Sequence, residues 1–103
     1  MGFRNTRARK DDNHDEIVAT FLATGCSVAE TIATGIPGFP DLVVGCIGVD
    51  HLVEDKNRKT RYGRSGLNAN QRKFADSWRG GKVEEVGTPD DVIALVQTWR
   101  KQG

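Results

Sequence analysis

Twelve residues near the middle of the chain, Leu42 to Val53, restrict the possible folds more than any other feature. Leu42, Val43, Val44, Gly45, Cys46 and Ile47 form an apolar, β-prone run. Gly48 separates it from a second run that holds Val49, His51, Leu52 and Val53. Two short apolar runs joined across a glycine read as a β-hairpin. A hairpin alone is marginal in water, so the rest of the chain has to supply further strands and a cover for the apolar face.

The flanking segments supply both. Asn13 or Asp12 can cap a helix that begins near His14, carries Ile17, Val18, Phe21 and Leu22 as one stripe, and stops at Gly25. Residues 26–29 read as a short strand, and Thr31 to Pro40 as an irregular connection, because Gly35, Pro37, Gly38 and Pro40 disfavour a regular element. Tyr62 to Gly66 reads as a loop. A second helix begins at Asn68, shows Phe74, Ala75 and Trp78 on one face, and ends at Gly80-Gly81. After a strand over residues 83–86, Thr88, Pro89 and Asp90 give a cap, a first-turn proline and a first-turn acid. Val92, Ile93, Leu95, Val96 and Trp99 then line the last helix. The predicted fold is α/β, a single mixed sheet flanked by helices in the order αβββαβα. Residues 1–11 are expected to be a flexible basic arm and residues 12–103 one domain, since 103 residues accommodate one core.

Composition narrows the function classes. A hydrophobic fraction of 37% and a charged fraction of 28% fit a globular protein. No apolar stretch reaches the roughly 20 residues of a membrane span, and no apolar region follows the N-terminal arginines as in a signal peptide, so a cytoplasmic location is expected. Cys26 and Cys46 lie among apolar or small residues and read as buried thiols rather than zinc ligands or a disulfide. The net charge of +1 conceals an uneven distribution: from Lys56 to Lys73 there are seven basic residues and no acid. Lys56, Arg58, Lys59, Arg61, Arg64, Arg72 and Lys73 could track a phosphate backbone, although many such runs are only a solvated face.

Chemistry concentrates at the ends of the hairpin. Residues two apart on a strand share a face, so Glu54 and Lys56 point together while Asp55 points away, outward. Antiparallel pairing carries Asp41 across from Glu54 despite twelve intervening residues. Two close carboxylates repel unless a cation lies between them, and hard oxygen ligands suit Mg²⁺ or Mn²⁺. The plainer alternative is a turn-capping Asp41 and a surface pair of Glu54 with Lys56. The neighbouring basic stretch favours a phosphodiester site.

Gly38, Phe39, Pro40, Asp41 and Leu42, followed by Glu54, Asp55 and Lys56, resemble the PD-(D/E)XK nuclease pattern. The wider arrangement resembles the virus-type replication-repair nuclease (VRR-NUC) branch, itself similar to archaeal Holliday junction resolvases. The similarity covers about residues 12 to 98, including Leu67 to Gln71 and the late strand and helix. It implies a restriction-endonuclease-like core and a Mg²⁺- or Mn²⁺-dependent endodeoxyribonuclease of DNA repair or recombination, encoded by a virus or prophage and acting on branched DNA. By the same resemblance Asp41 and Glu54 hold the metal and Lys56 positions or activates the attacking water. An acid of the first helix joins the metal shell, assigned to Glu16 ahead of Asp15 and Asp12, and Gln71 orients water or phosphate. The Asp55 carbonyl can complete the shell, since backbone oxygen is an acceptable hard ligand. Asp55 stands where many relatives carry an apolar residue.

Other residues read more plainly. His14 is expected to be an exposed helix-start histidine, His51 a sheet-facing side chain, and Trp78 and Trp99 core or interface residues. A homodimer is expected, because paired cuts in a junction need two sites related by symmetry, and Val92, Leu95, Val96 and Trp99 are candidate interface residues. The competing function is a catalytically weak DNA-binding accessory protein that keeps the nuclease fold.

Overall fold

The computed structural model describes residues 13–56 and 66–103. The elements are α1 (His14–Ala23), β1 (Ser27–Glu30), β2 (Leu42–Cys46), β3 (Val49–Asp55), α2 (Ala69–Ser77), β4 (Glu84–Val86) and α3 (Pro89–Gln102). This is the predicted αβββαβα order. The strands form one mixed sheet in the order β1-β2-β3-β4, antiparallel except for the parallel β3–β4 pair. The basic arm and Asp12 fall outside the described residues, as do Arg58, Lys59, Arg61 and Arg64.

The β2–β3 hairpin closes through Ile47 and Gly48, whose φ values of 53° and 77° both lie in the left-handed region. A two-residue turn with both central φ positive matches the right-handed twist of its strands. The turn fixes the register from Cys46↔Val49 to Leu42↔Val53. That register puts Leu42, Val44, Cys46 and Val53 on one face, here called the back, where they form the core with Ile17, Phe21, Val86, Val92, Val96 and Trp99. Both α1 and α3 contribute to this core, so the back of the sheet is closed.

Local chemistry sets the helix ends. Asp91 N–H donates to Thr88 Oγ1 at 3.1 Å, and Asp91 Oδ2 accepts from the N–H groups of Thr88 and Gly87 at 3.1 and 2.8 Å. This capping box starts α3 where the Thr-Pro-Asp sequence predicts. Along its length the α3 stripe is consumed by the chain's own core: Val92, Val96 and Trp99 are buried and Leu95 packs against them. Those residues are therefore not free to form the dimer interface expected of them. His51, expected to be a sheet-facing side chain, is half-buried, its ring stacked on Trp99 at 3.7 Å between centroids. Cys26 and Cys46 are free buried thiols, and burial followed by the neighbouring Cys46 raises the Cys26 thiol to about 11. Among the described residues no helix is long and apolar enough to cross a membrane.

Candidate active site

The front of the sheet, opposite the core, carries the charged residues that bracket the hairpin. Asp41 lies one residue before the Leu42↔Val53 pair, so the register carries it opposite Glu54. The Asp41 carboxylate is fixed by its partner strand: Asp55 N–H donates to Asp41 Oδ2 at 3.0 Å. Behind Asp41, Thr31 ties the incoming chain down, its N–H donating to Asp41 O at 2.8 Å and its hydroxyl to Pro40 O at 2.6 Å. The Pro40-Asp41 corner is thus clamped from both neighbouring strands.

Glu54 is only 2% exposed. Burial pushes its carboxyl up to about 8, the facing Asp41 carboxylate pushes in the same direction, and the Lys56 ammonium acts against both. Lys56 is also 2% exposed and extends the line of β3, where its N–H donates to Val86 O at 2.7 Å. An acid, a facing acid and a lysine therefore meet at the end of the hairpin, as the spacing predicts.

Gln71 completes this group from α2. Asn68 and Gln71 form a capping box: Gln71 N–H donates to Asn68 Oδ1 and Asn68 N–H to Gln71 Oε1, each at 2.9 Å. With Oε1 engaged at the cap, the amide presents Nε2 to Glu54 Oε2, to which it donates a hydrogen bond. Gly38 lets the helix come this close. A Cβ there would lie 2.1 Å from the Asn70 carbonyl oxygen, so any side chain would push α2 away from the Pro40-Asp41 corner.

The remaining predicted residues lie elsewhere. Glu16 is exposed on α1, whose buried residues are His14, Ile17 and Phe21. Among the described residues no three His, Cys, Asp or Glu side chains gather as a metal cage, so Glu16 does not form one with Asp41 and Glu54. Arg72 and Lys73 are exposed on α2. Asp55 points to the opposite face from Glu54, as alternation requires, but not outward into solvent. It is 1% exposed on the back of the sheet, its Oδ2 lying 3.7 Å from His14 Nδ1.

His14 likewise departs from expectation. It is 1% exposed and bridges two strands, with Nε2 2.7 Å from Glu30 Oε1 on β1 and Nδ1 toward Asp55 on β3. The signal for this was legible, because His14 precedes Ile17 and Phe21 by three and seven residues and so continues their buried stripe. Trp78 is 46% exposed, which takes it out of the chain's own core and leaves the interface alternative untouched.

A hard divalent cation fits the donor set. Asp41 and Glu54 supply two facing carboxylates whose mutual repulsion a cation would relieve, and Mg²⁺ is commonly held by one or two carboxylates with water completing its shell. The whole is a small α/β domain with a mixed sheet flanked by helices, loosely compatible with a PD-(D/E)XK-like core. Compared with known proteins, the chain matches no family model, no curated protein and no solved structure.

Proposed function

We propose that this chain is a metal-dependent DNA endonuclease of the PD-(D/E)XK type, of the VRR-NUC branch, acting in the cytoplasm on branched DNA. The observation that carries the reading is the opposition of Asp41 and Glu54 on the front face, with Lys56 beside them and the Gln71 amide on Glu54. Asp41 and Glu54 would hold Mg²⁺ or Mn²⁺, with the Asp55 carbonyl as a further candidate ligand; Glu16, exposed on α1, is not among them. Such an ion supplies positive charge to phosphate oxygens and acidifies water at the site.

The chain's own groups have separable tasks. Asp55 N–H fixes the orientation of the Asp41 carboxylate, and Gln71 fixes that of Glu54. Lys56 brings positive charge beside the charge that develops on the phosphoryl group as water attacks. Burial around Glu54 and Lys56 lowers the local dielectric and strengthens that attraction. The basic residues Arg58, Lys59, Arg61, Arg64, Arg72 and Lys73 would bind the phosphate backbone on either side of the cut. A symmetric dimer would make paired cuts in a junction, through a surface other than the buried α3 stripe.

The second reading is a DNA-binding protein with this fold and little activity. It draws on the absence of a three-ligand acidic cluster among the described residues. Labelled duplex, flap, single-strand and four-way junction DNAs, incubated with Mg²⁺, Mn²⁺ or chelator and mapped at nucleotide resolution, separate the two. Metal-dependent cuts that vanish in Asp41→Asn support the enzyme; salt-sensitive binding without cleavage under any metal supports the accessory protein. Lys56→Ala is expected to retain metal binding and slow turnover.

A further inference from the structure

No residue of α2 is buried, whereas α3 buries three. The face of α2 that carries Gln71 to the catalytic group also carries Phe74 and Trp78, one and two turns further on. Phe39, two residues before Asp41, meets the Phe74 ring edge to face at 5.3 Å, and Phe74 stacks on Trp78 at 5.2 Å with 16° between planes. A continuous row of three rings thus runs from the Pro40-Asp41 corner to the end of α2. Its first two members are half-buried and hold α2 to the site, but the last leaves 46% of Trp78 in solvent. Gly80 lies close along the indole: a Cβ there would lie 2.7 Å from Trp78 Nε1.

The charge around this row is one-sided. From Leu67 to Val83 the chain carries Arg72, Lys73, Arg79 and Lys82 with Asp76 as its one acid, and all five are exposed. Arg72 donates to Leu67 O at 3.2 Å and, with Lys73 and Asp76, lines a groove on another side of α2, whereas Arg79 and Lys82 follow Trp78 directly in the chain, Lys82 only loosely paired with Glu84 at 3.9 Å. Bared aromatic faces flanked by cations are what a nucleic-acid strand with unpaired bases requires: the rings take the bases and the cations take the phosphates. A closed duplex offers no base faces along its length.

The geometry points to the Phe39–Phe74–Trp78 row as a platform on which unpaired DNA bases stack beside the phosphate to be cut, with Trp78 as the base-contacting ring. This inference rests on the nuclease reading for the position of the scissile phosphate. It specifies the substrate further, as DNA with unpaired bases adjoining the cleavage point, such as a flap, a gap or an opened junction.

The test uses oligonucleotides in chelator, where stacking is measured without cleavage. Trp78 and Trp99 are the only tryptophans in the chain, and Trp99 is 5% exposed, so emission that acrylamide can reach reports Trp78. The protein is titrated with oligothymidylate of about twelve nucleotides and with an abasic strand of equal length and charge. Oligothymidylate is expected to bind about tenfold tighter or more and to quench the accessible emission, as stacking of even one base implies. Trp78→Ala and Trp78→Phe lack that reporter, so their binding is followed by the anisotropy of an end-labelled strand; Trp78→Ala is expected to bring the two affinities together, and Trp78→Phe to restore part of the difference. Equal affinity of the wild-type protein for the two strands, or none for either, overturns the platform whatever the variants do. So does unchanged base preference in Trp78→Ala together with conversion of a dimer to a monomer in sedimentation, which would assign this face to a second copy. The two readings fail separately: metal-dependent cleavage without base preference removes the platform alone, and base preference without cleavage under any metal removes the nuclease alone.

Discussion

Glu54 and Asp55 are consecutive residues of β3, 2% and 1% exposed, yet they leave opposite faces of the sheet and meet opposite company. On the back, Asp55 lies beside His14, which also reaches Glu30. On the front, Glu54 faces Asp41, so its strongest charged neighbour is one that disfavours its ionisation. A buried carboxylate with a basic partner serves the fold, because removing that partner would strand a buried charge. A buried carboxylate facing another carboxylate is a cost to the fold that makes sense where a cation is to be bound. On the proposed function, the two faces separate residues that hold the sheet together from residues that would act on a bound ion and substrate.

The largest effect expected from this contrast is on catalysis. Asp41→Asn and Glu54→Gln each remove a ligand charge while preserving shape, and each is expected to lower cleavage by more than about a hundredfold, the scale that outer-shell partners of metals already reach. DNA binding should stay largely intact, since the basic residues are untouched. Gel-based cleavage with Mg²⁺ and a parallel binding assay in chelator measure both, and undiminished cleavage by either variant would remove that residue from the site.

Stability should respond in the reverse order. His14→Ala takes away the imidazole shared by Glu30 and Asp55 at the start of a buried stripe, and is expected to cost on the order of 1–3 kcal/mol in chemical denaturation. Glu54→Gln keeps the volume, removes the cost of holding a buried carboxyl neutral beside Asp41 and should leave the metal-free protein as stable as the parent, or more so. If Glu54→Gln proved the more damaging of the two, the division between the faces would be wrong.

Much of this was legible in the chain because hairpins and caps are local. Gly48 and the flanking runs fix the β2–β3 register, which alone brings Asp41 opposite Glu54, and Thr88-Pro89 fixes the start of α3. Alternation put Asp55 on the opposite face, but burial there depends on α1 packing over the end of β3, a contact between residues 41 positions apart in the chain. The burial of His14 was legible in the stripe it shares with Ile17 and Phe21, but its partners, which come from two strands distant in the chain, were not. Trp78 followed an apolar stripe and read as core or interface. Whether a stripe is covered depends on what else packs there, and the back of the sheet was already filled by α1 and α3.

Titration sharpens the contrast. Between about 4.5 and about 8, an unfolded chain carries Glu54 ionised while the folded metal-free protein keeps it protonated among Asp41, Lys56 and Gln71. The folded state then binds more protons, so this residue's contribution to stability is full below the lower value and declines as pH rises to the upper one. Thermal unfolding in chelator is expected to show that decline, and Glu54→Gln to flatten it. Because metal and proton compete for the same carboxylate, affinity for Mn²⁺ should rise with pH over the same interval and level off above about 8. Affinity that is constant across this interval would show that Glu54 is not a ligand.

Salt distinguishes the faces by the smallest effect. The His14 and Asp55 side chains are 2% and 0% exposed, so their interaction is little screened. Arg72 and Lys73 are exposed on α2, where salt would compete directly with any phosphate they bind. If each contacts one phosphate, Arg72→Ala and Lys73→Ala should each reduce the dependence of log affinity on log salt by about one, uniformly across unrelated DNA sequences. The effect on affinity near physiological salt is modest, because the four basic residues between Arg58 and Arg64 would still hold the backbone. Neutralising those four together should reduce the slope further. The stability difference between His14→Ala and the parent should meanwhile change little over the same salt series, with only the contact to the half-exposed Glu30 open to screening. A slope unchanged in both α2 variants would move the phosphate path away from α2, and with it the expectation that DNA crosses the front face beside Gln71.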